Sequence, residues 1–294
     1  MIVENDFAGR QIRGGRERQE DAYIFSNVPG NDGRMTGLLV VVADGMGGHI
    51  SGEMASKVAL EAFVNQFLRE SGTVRKRLLT SMAASNAALA KEFKRDPKLE
   101  GMGTTLLAAA ITQAGVHWIS VGDSLLFLLR KGKLKHLNAD HSFRPFLEAM
   151  IETGELTKEM AEKHPFRNLL RSALSGDAIE LLDAPERPLA LQNGDLILAA
   201  TDGLLTLTDA EIVKTLSGLP PHAKADAIAD ALLRAVEARN KPRQDNTTVS
   251  VVKFKRKTLA DLPGAAARKS VSATKTISKP QRFKELSAKN AKRR

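Results

Sequence analysis

The order of elements predicts an α+β fold in which antiparallel sheets pack together with helices outside. Three observations carry that prediction. Short apolar runs recur without a regular βαβ alternation, which argues against a doubly wound sheet. The strand-like runs between 104 and 137 are separated by QAG, GDS and KGK, which is the turn chemistry of an antiparallel meander. Helical periodicity comes in pairs, placed between blocks of strands.

The elements follow in order. Residues 38–43, LLVVVA, form a short β-branched run, read as a buried strand. Ala55, Val58, Ala59, Ala62, Phe63 and Phe67 share one face of a first helix. Leu78, Leu79, Met82, Leu89, Ala90 and Phe93 share one face of a second. Thr73 suits its N-cap, and Asp96-Pro97 ends it. Strands are expected over 104–111, 116–121, 125–130 and 133–137. The charged stretch 140–177 reads as short helices with no strand. Another buried strand is expected over 196–201. Thr208 and Glu211 form a capping box that opens a short helix ending at Gly218. A helix over 223–239 and a strand over 247–254 complete the series.

Composition bounds the function. The chain has 294 residues, 43 % of them hydrophobic, enough for a substantial core over most of its length. No apolar run approaches the roughly 18 residues of a membrane span. The start, MIVENDFAGR, has neither a basic n-region nor an apolar h-region, so no signal peptide is expected. Cysteine is absent, which excludes disulfides, thiolate metal sites and cysteine nucleophiles. A cytoplasmic location is the expectation. The net charge of +10 is unevenly spread. From Lys253 onward 14 basic side chains face two acidic ones, while residues 1–252 carry −2. The expected division is a globular body over 1–257 and a basic, disordered tail over 258–294. That tail is either solubilising or a contact for polyanions: nucleic acid, an anionic membrane or acidic proteins. No P-loop or dinucleotide fingerprint is present.

The chemistry gathers at strand ends. Asp44 and Asp202 each close an apolar run and precede glycine, Asp123 lies in the GDS turn, and Asp245 precedes the last strand. Glu20 and Asp21 precede AYIF, an early strand candidate. Asp-Gly is an ordinary turn dipeptide, so one such pair means little. Several acidic strand ends converging on one rim would repel one another, and a cation resolves that repulsion. All-oxygen ligands select a hard ion such as Mg²⁺, Mn²⁺ or Ca²⁺, and an excess of carboxylates suggests two. Gly45 and Gly203 would let backbone approach closely.

These stretches resemble the metal-dependent protein serine/threonine phosphatases, the PPM or type 2C family, in its bacterial branch. The matching strings stand in the family's order: RERQED at 16–21, VVADGMGGH at 41–49, GMGTT at 101–105, VGDS at 121–124, AATDGL at 199–204 and QDNTT at 244–248. DHS at 140–142 and EKHPFRNLLRSAL at 162–174 resemble the bacterial flap, over 140–177. The resemblance covers roughly 8–254. It implies a four-layer αββα sandwich with two Mn²⁺ or Mg²⁺ ions in a cleft at one edge. It implies Asp44 as bridging ligand, the Gly45 carbonyl on one ion, and Asp202 and Asp245 on the other. Glu20 and Asp21 would act through metal-bound water, and Asp123 with Asp202 would hold a third, weaker ion. Arg16 would grip the substrate phosphate, with Arg13 and Arg18 as nearby rivals. Two roles compete for His49: general acid for the leaving group, or a partner of the following helix, where Glu53 stands at i+4. His136, His141 and His164 read as strand-end or flap residues. The implied activity removes phosphate from phosphoserine and phosphothreonine on proteins, opposite a Ser/Thr kinase, in a monomer. The alternatives are a catalytically silent phosphoprotein-binding module on the same fold, or polyanion binding led by the tail.

Overall fold

The structure, a computed structural model, describes residues 7–30, 32–47, 51–96, 99 and 101–256. Among the described residues ten strands form two antiparallel sheets. The first takes the order β1 (Phe7–Ile12), β10 (Thr247–Lys253), β9 (Leu196–Ala200), β7 (Leu125–Arg130) and β8 (Lys133–His136). The second takes β2 (Asp21–Pro29), β3 (Met35–Met46), β5 (Leu106–Thr112) and β6 (Gly115–Val121), with the two-residue β4 (Gly103–Thr104) paired to the end of β3.

Strand alternation sorts the apolar residues into three layers. In β3, Leu39, Val41 and Ala43 pack towards the helices α1 (Ser51–Arg69) and α2 (Val74–Arg95), while Leu38, Val40 and Val42 face the other sheet. In β9, Leu196, Leu198 and Ala200 pack with α5 (Asp209–Ser217) and α6 (Ala225–Glu237), while Ile197 and Ala199 face the second sheet. Apolar residues on both faces of a strand therefore mean that the sheet is covered twice. The expected four-layer αββα arrangement is the one observed. Two short helices, α3 (Arg144–Glu152) and α4 (Lys158–Glu162), lie in the 140–177 segment.

Local signals act where expected. The Thr73 side chain accepts from the Lys76 amide at the start of α2. Thr208 and Glu211 make the reciprocal capping box of α5. Ser85 Oγ donates to the Ala59 carbonyl across the α1–α2 pair at 2.8 Å. The 104–111 run divides into β4 and β5, and β1 is an edge strand that the periodicity does not announce. Among the described residues no helix is long and apolar enough to cross a membrane. The basic tail, and the expectation that it is disordered, lie outside the described residues.

Phe63 is fully buried and stacks on Phe67 in the layer between α1 and the second sheet. Phe63→Ala is expected to cost about 3–5 kcal/mol of unfolding free energy. Phe146→Ala, at a side chain half open to solvent, should stay within about 0.5 kcal/mol. Urea denaturation of both variants checks the contrast.

Candidate active site

The antiparallel pairing brings the predicted carboxylates to one rim. β2 begins at Asp21, which pairs in register with Asp44 near the end of β3. β5 begins and β6 ends beside them, so Asp123, just past β6, reaches the same rim. In the other sheet, β9 ends before Asp202 and its partner β10 begins after Asp245. Asp44, Asp123, Asp202, Asp245, Glu20 and Arg16 line one cleft of about 720 Å³. Residues of the 140–177 segment, among them Asn168, Leu169 and Arg171, form its opposite wall.

Hydroxyls and amides fix the carboxylates in place. Asp21 lies between the sheets, its Oδ2 accepting from Thr201 Oγ1 and Thr248 Oγ1, each at 2.8 Å. Its Oδ1 is buried and has no hydrogen-bond partner. The Asp44 amide donates to Thr105 Oγ1 at 2.9 Å, and its carbonyl accepts from the Thr105 amide at 2.9 Å. Asn246 ties down the loop before β2: it accepts from the Glu20 amide at 2.8 Å and donates to the Arg13 and Arg18 carbonyls at 2.7 and 2.9 Å. The expectation for the two glycines is met. A Cβ on Gly45 would fall 2.0 Å from the Gly52 carbonyl oxygen, and one on Gly203 would fall 2.1 Å from that of Asn246.

Carboxylates gather here at buried positions close to one another. Burial first, and then Asp21, Asp202, Asp123 and Asp245, push the Asp44 carboxyl well above its usual range. Burial and Asp245 raise Asp202. Burial raises Asp21 to about 7 against the pull of its two threonine hydroxyls. Burial and Asp202 raise Asp123 to about 7 against Arg144. Burial also raises Glu20. Each carboxylate weakens its neighbours' ionised form.

Two arginines already answer part of this charge. Arg16 Nη2 donates to Asp245 Oδ2 at 2.6 Å, with both side chains about half exposed. Arg144 Nη2 donates to Asp123 Oδ2 at 2.8 Å, with both buried. Of the three arginines considered for phosphate, Arg16 alone lines the cleft. Among the described residues no three acidic groups close into a finished cage around one point. The donor set nonetheless fits a hard cation: all-oxygen, buried, in electrostatic excess, with one aspartate oxygen lacking any partner.

His49 falls outside the described residues. Glu53, four residues on, pairs with Lys57 at 2.6 Å. His141 is buried against the turn before Asp123: its backbone amide donates to the Gly122 carbonyl, and its Nδ1 accepts from the Gly122 amide at 3.2 Å. His136 lies at the end of β8 and His164 among the rings of Phe143 and Phe166. Sequence reasoning gave no role to Thr201, Thr248, Asn246 or Arg144. For Arg144 a local hint was Asp140, four residues earlier in the loop before α3.

The comparisons with known proteins agree with this geometry. The family model for "Protein phosphatase 2C" matches residues 8–248. The serine/threonine protein phosphatase PstP of Mycobacterium tuberculosis is 33 % identical over 215 residues, which is 72 % of this chain and 40 % of that protein. The chain therefore spans about two fifths of that curated relative. The serine/threonine phosphatase stp of Listeria monocytogenes is 32 % identical over 223 residues, 73 % of this chain and 83 % of its own length. A crystal structure of the M. tuberculosis PstP/Ppp phosphatase superposes with a TM-score of 0.69 at 31 % identity, covering 85 % of this chain and 98 % of that one. A structure of the PstP catalytic domain "in complex with 2 Manganese ions" superposes at 0.65 with 30 % identity, covering 84 % of this chain and 96 % of that one. With that match over residues 8–248, most of its length, the chain belongs to the protein phosphatase 2C family.

Proposed function

We propose that this chain is a metal-dependent protein serine/threonine phosphatase. The observation that carries the reading is the set of mutually destabilised carboxylates in one cleft with Arg16 at its edge. Two divalent ions of the Mn²⁺ or Mg²⁺ class, when bound, supply an activated water and neutralise phosphate charge. Asp44, Asp202, Asp245 and the Gly45 carbonyl are the groups that would hold them, with Glu20 and Asp21 orienting water nearby. A structure of the PstP catalytic domain in complex with two manganese ions supports the two-ion reading.

The chain's own residues do the rest. Arg16 is half exposed and its guanidinium is a planar fork of donors, suited to a phosphate dianion. A cation held by Asp245 would compete with Arg16 for that carboxylate and would leave the fork open to substrate. The oxygen-rich lining of the cleft and the absence of cysteine favour direct hydrolysis over a cysteinyl phosphoenzyme. The 140–177 segment walls the cleft and is the part that would meet the protein around the phosphorylated residue. The substrates are then phosphoserine and phosphothreonine proteins, and the counterpart is a Ser/Thr kinase acting on the same targets.

Hydrolysis of a phosphothreonine peptide with Mn²⁺, with Mg²⁺ and with EDTA tests this. Turnover should need the ion, and Asp202→Ala and Asp245→Ala should each lower kcat/KM by more than tenfold, a loss above about 1.4 kcal/mol. Arg16→Ala should lower it by about 10–100-fold, as loss of a charged hydrogen-bonded pair does. Folded, metal-loaded protein inactive on several phosphopeptides would favour a silent binding module instead.

The raised carboxyls also set a pH dependence. In the ion-free fold Asp21 and Asp123 keep protons up to about pH 7, whereas in the unfolded chain they release them near 3.8. Between those values the native state holds more protons than the unfolded one, so stability falls as pH rises. In EDTA the melting temperature should drop from about pH 5 to about pH 8. Saturating Mn²⁺, which displaces the protons, should flatten that drop. A melting temperature that rises across this range in EDTA would contradict the electrostatic account.

A further inference from the structure

Arg144 opens α3 and is only 7 % exposed, an unusual position for a guanidinium. It joins two carboxylates: Nη2 donates to Asp123 Oδ2 at 2.8 Å and Nε to Asp140 Oδ2 at 2.9 Å. Asp140 is set by the Ser142 amide at 2.8 Å, and the Arg144 amide donates to Ser142 Oγ at 3.2 Å. The result is a buried Asp–Arg–Asp bridge between the β6–β7 turn and the start of the 140–177 segment. His141, between them in sequence, locks the same turn through Gly122. The bridge is thus held from both sides.

A guanidinium keeps its charge under all conditions a protein survives. A divalent ion on Asp123 would have to displace Arg144 from a buried position bonded to two carboxylates, or sit beside it, cation against cation. We propose that Arg144 is a built-in counter-cation that withdraws Asp123 from metal binding, leaving the ions of the centre to Asp44, Asp202 and Asp245. The inference rests on the metal-centre reading above. It departs from the third ion on Asp123 that the family resemblance implies.

Counting bound Mn²⁺ on the full chain tests it, by equilibrium dialysis with elemental analysis and by isothermal titration. Four proteins are compared: wild type, Asp123→Asn, Arg144→Gln and the double variant. Asp123→Asn should leave the number of bound ions unchanged. Arg144→Gln should add one weak equivalent, which the double variant loses. A wild-type equivalent that disappears in Asp123→Asn overturns the proposal, as does a folded Arg144→Gln that gains none. Circular dichroism monitors folding, and if Arg144→Gln does not fold, the Asp123→Asn count decides alone. Wild-type protein that binds no Mn²⁺ overturns the metal-centre reading itself, and this inference with it.

Discussion

The structure depends on one packing constraint: both faces of both sheets are covered. Helices cover the outer faces, and each sheet covers the inner face of the other. Such sheets meet water only at their edges and ends. Polar chemistry cannot be placed along the strands without burying groups that lack partners. It collects where the strands stop, and antiparallel pairing brings stops and starts together. Asp44 and Asp21 are register partners for that reason.

Gathering carboxylates at one rim is costly, and the surrounding residues limit that cost without removing it. Thr201 and Thr248 satisfy one oxygen of Asp21 and leave the other bare. Thr105 holds the backbone of Asp44 through both its amide and its carbonyl, but does nothing for the carboxylate's charge. These contacts fix position rather than neutralise. A site that is well positioned and poorly neutralised is built to receive a cation, and such sites are where proteins give up stability for function.

Much of this was legible in the sequence, for physical reasons that differ by element. β3, β5 and β9 were readable because double coverage demands continuous apolar runs. α1, α2 and α6 were readable because a single covered face demands helical periodicity. β1 was not: FAGRQI is an edge strand with one fully buried residue, so burial imposes almost no pattern on it. Asp44, Asp202 and Asp245 stood out because each abuts an apolar strand. Asn246 was visible inside QDNTT, yet its work of pinning the loop at 13–20 depends on a contact across 226 residues. Arg144 was hidden for the same reason, since its pairing with Asp123 spans 21 positions and a change of element. His49 falls outside the described residues.

The two arginines paired to the rim's aspartates show how one side-chain type serves opposite ends. Each neutralises an aspartate through Nη2 at similar distance. They differ in burial and in the number of partners. Arg16 has one carboxylate and half of its surface in water, so water can replace the pair at little cost and the fork can turn to a new anion. Arg144 has two carboxylates and almost no water, so release would leave it and Asp123 as unpaired buried charges. An exchangeable pair suits a group that must let go of a ligand to take up substrate. A fixed pair suits a group that defines which carboxylates take part. Burial, more than the identity of the residue, separates the two roles.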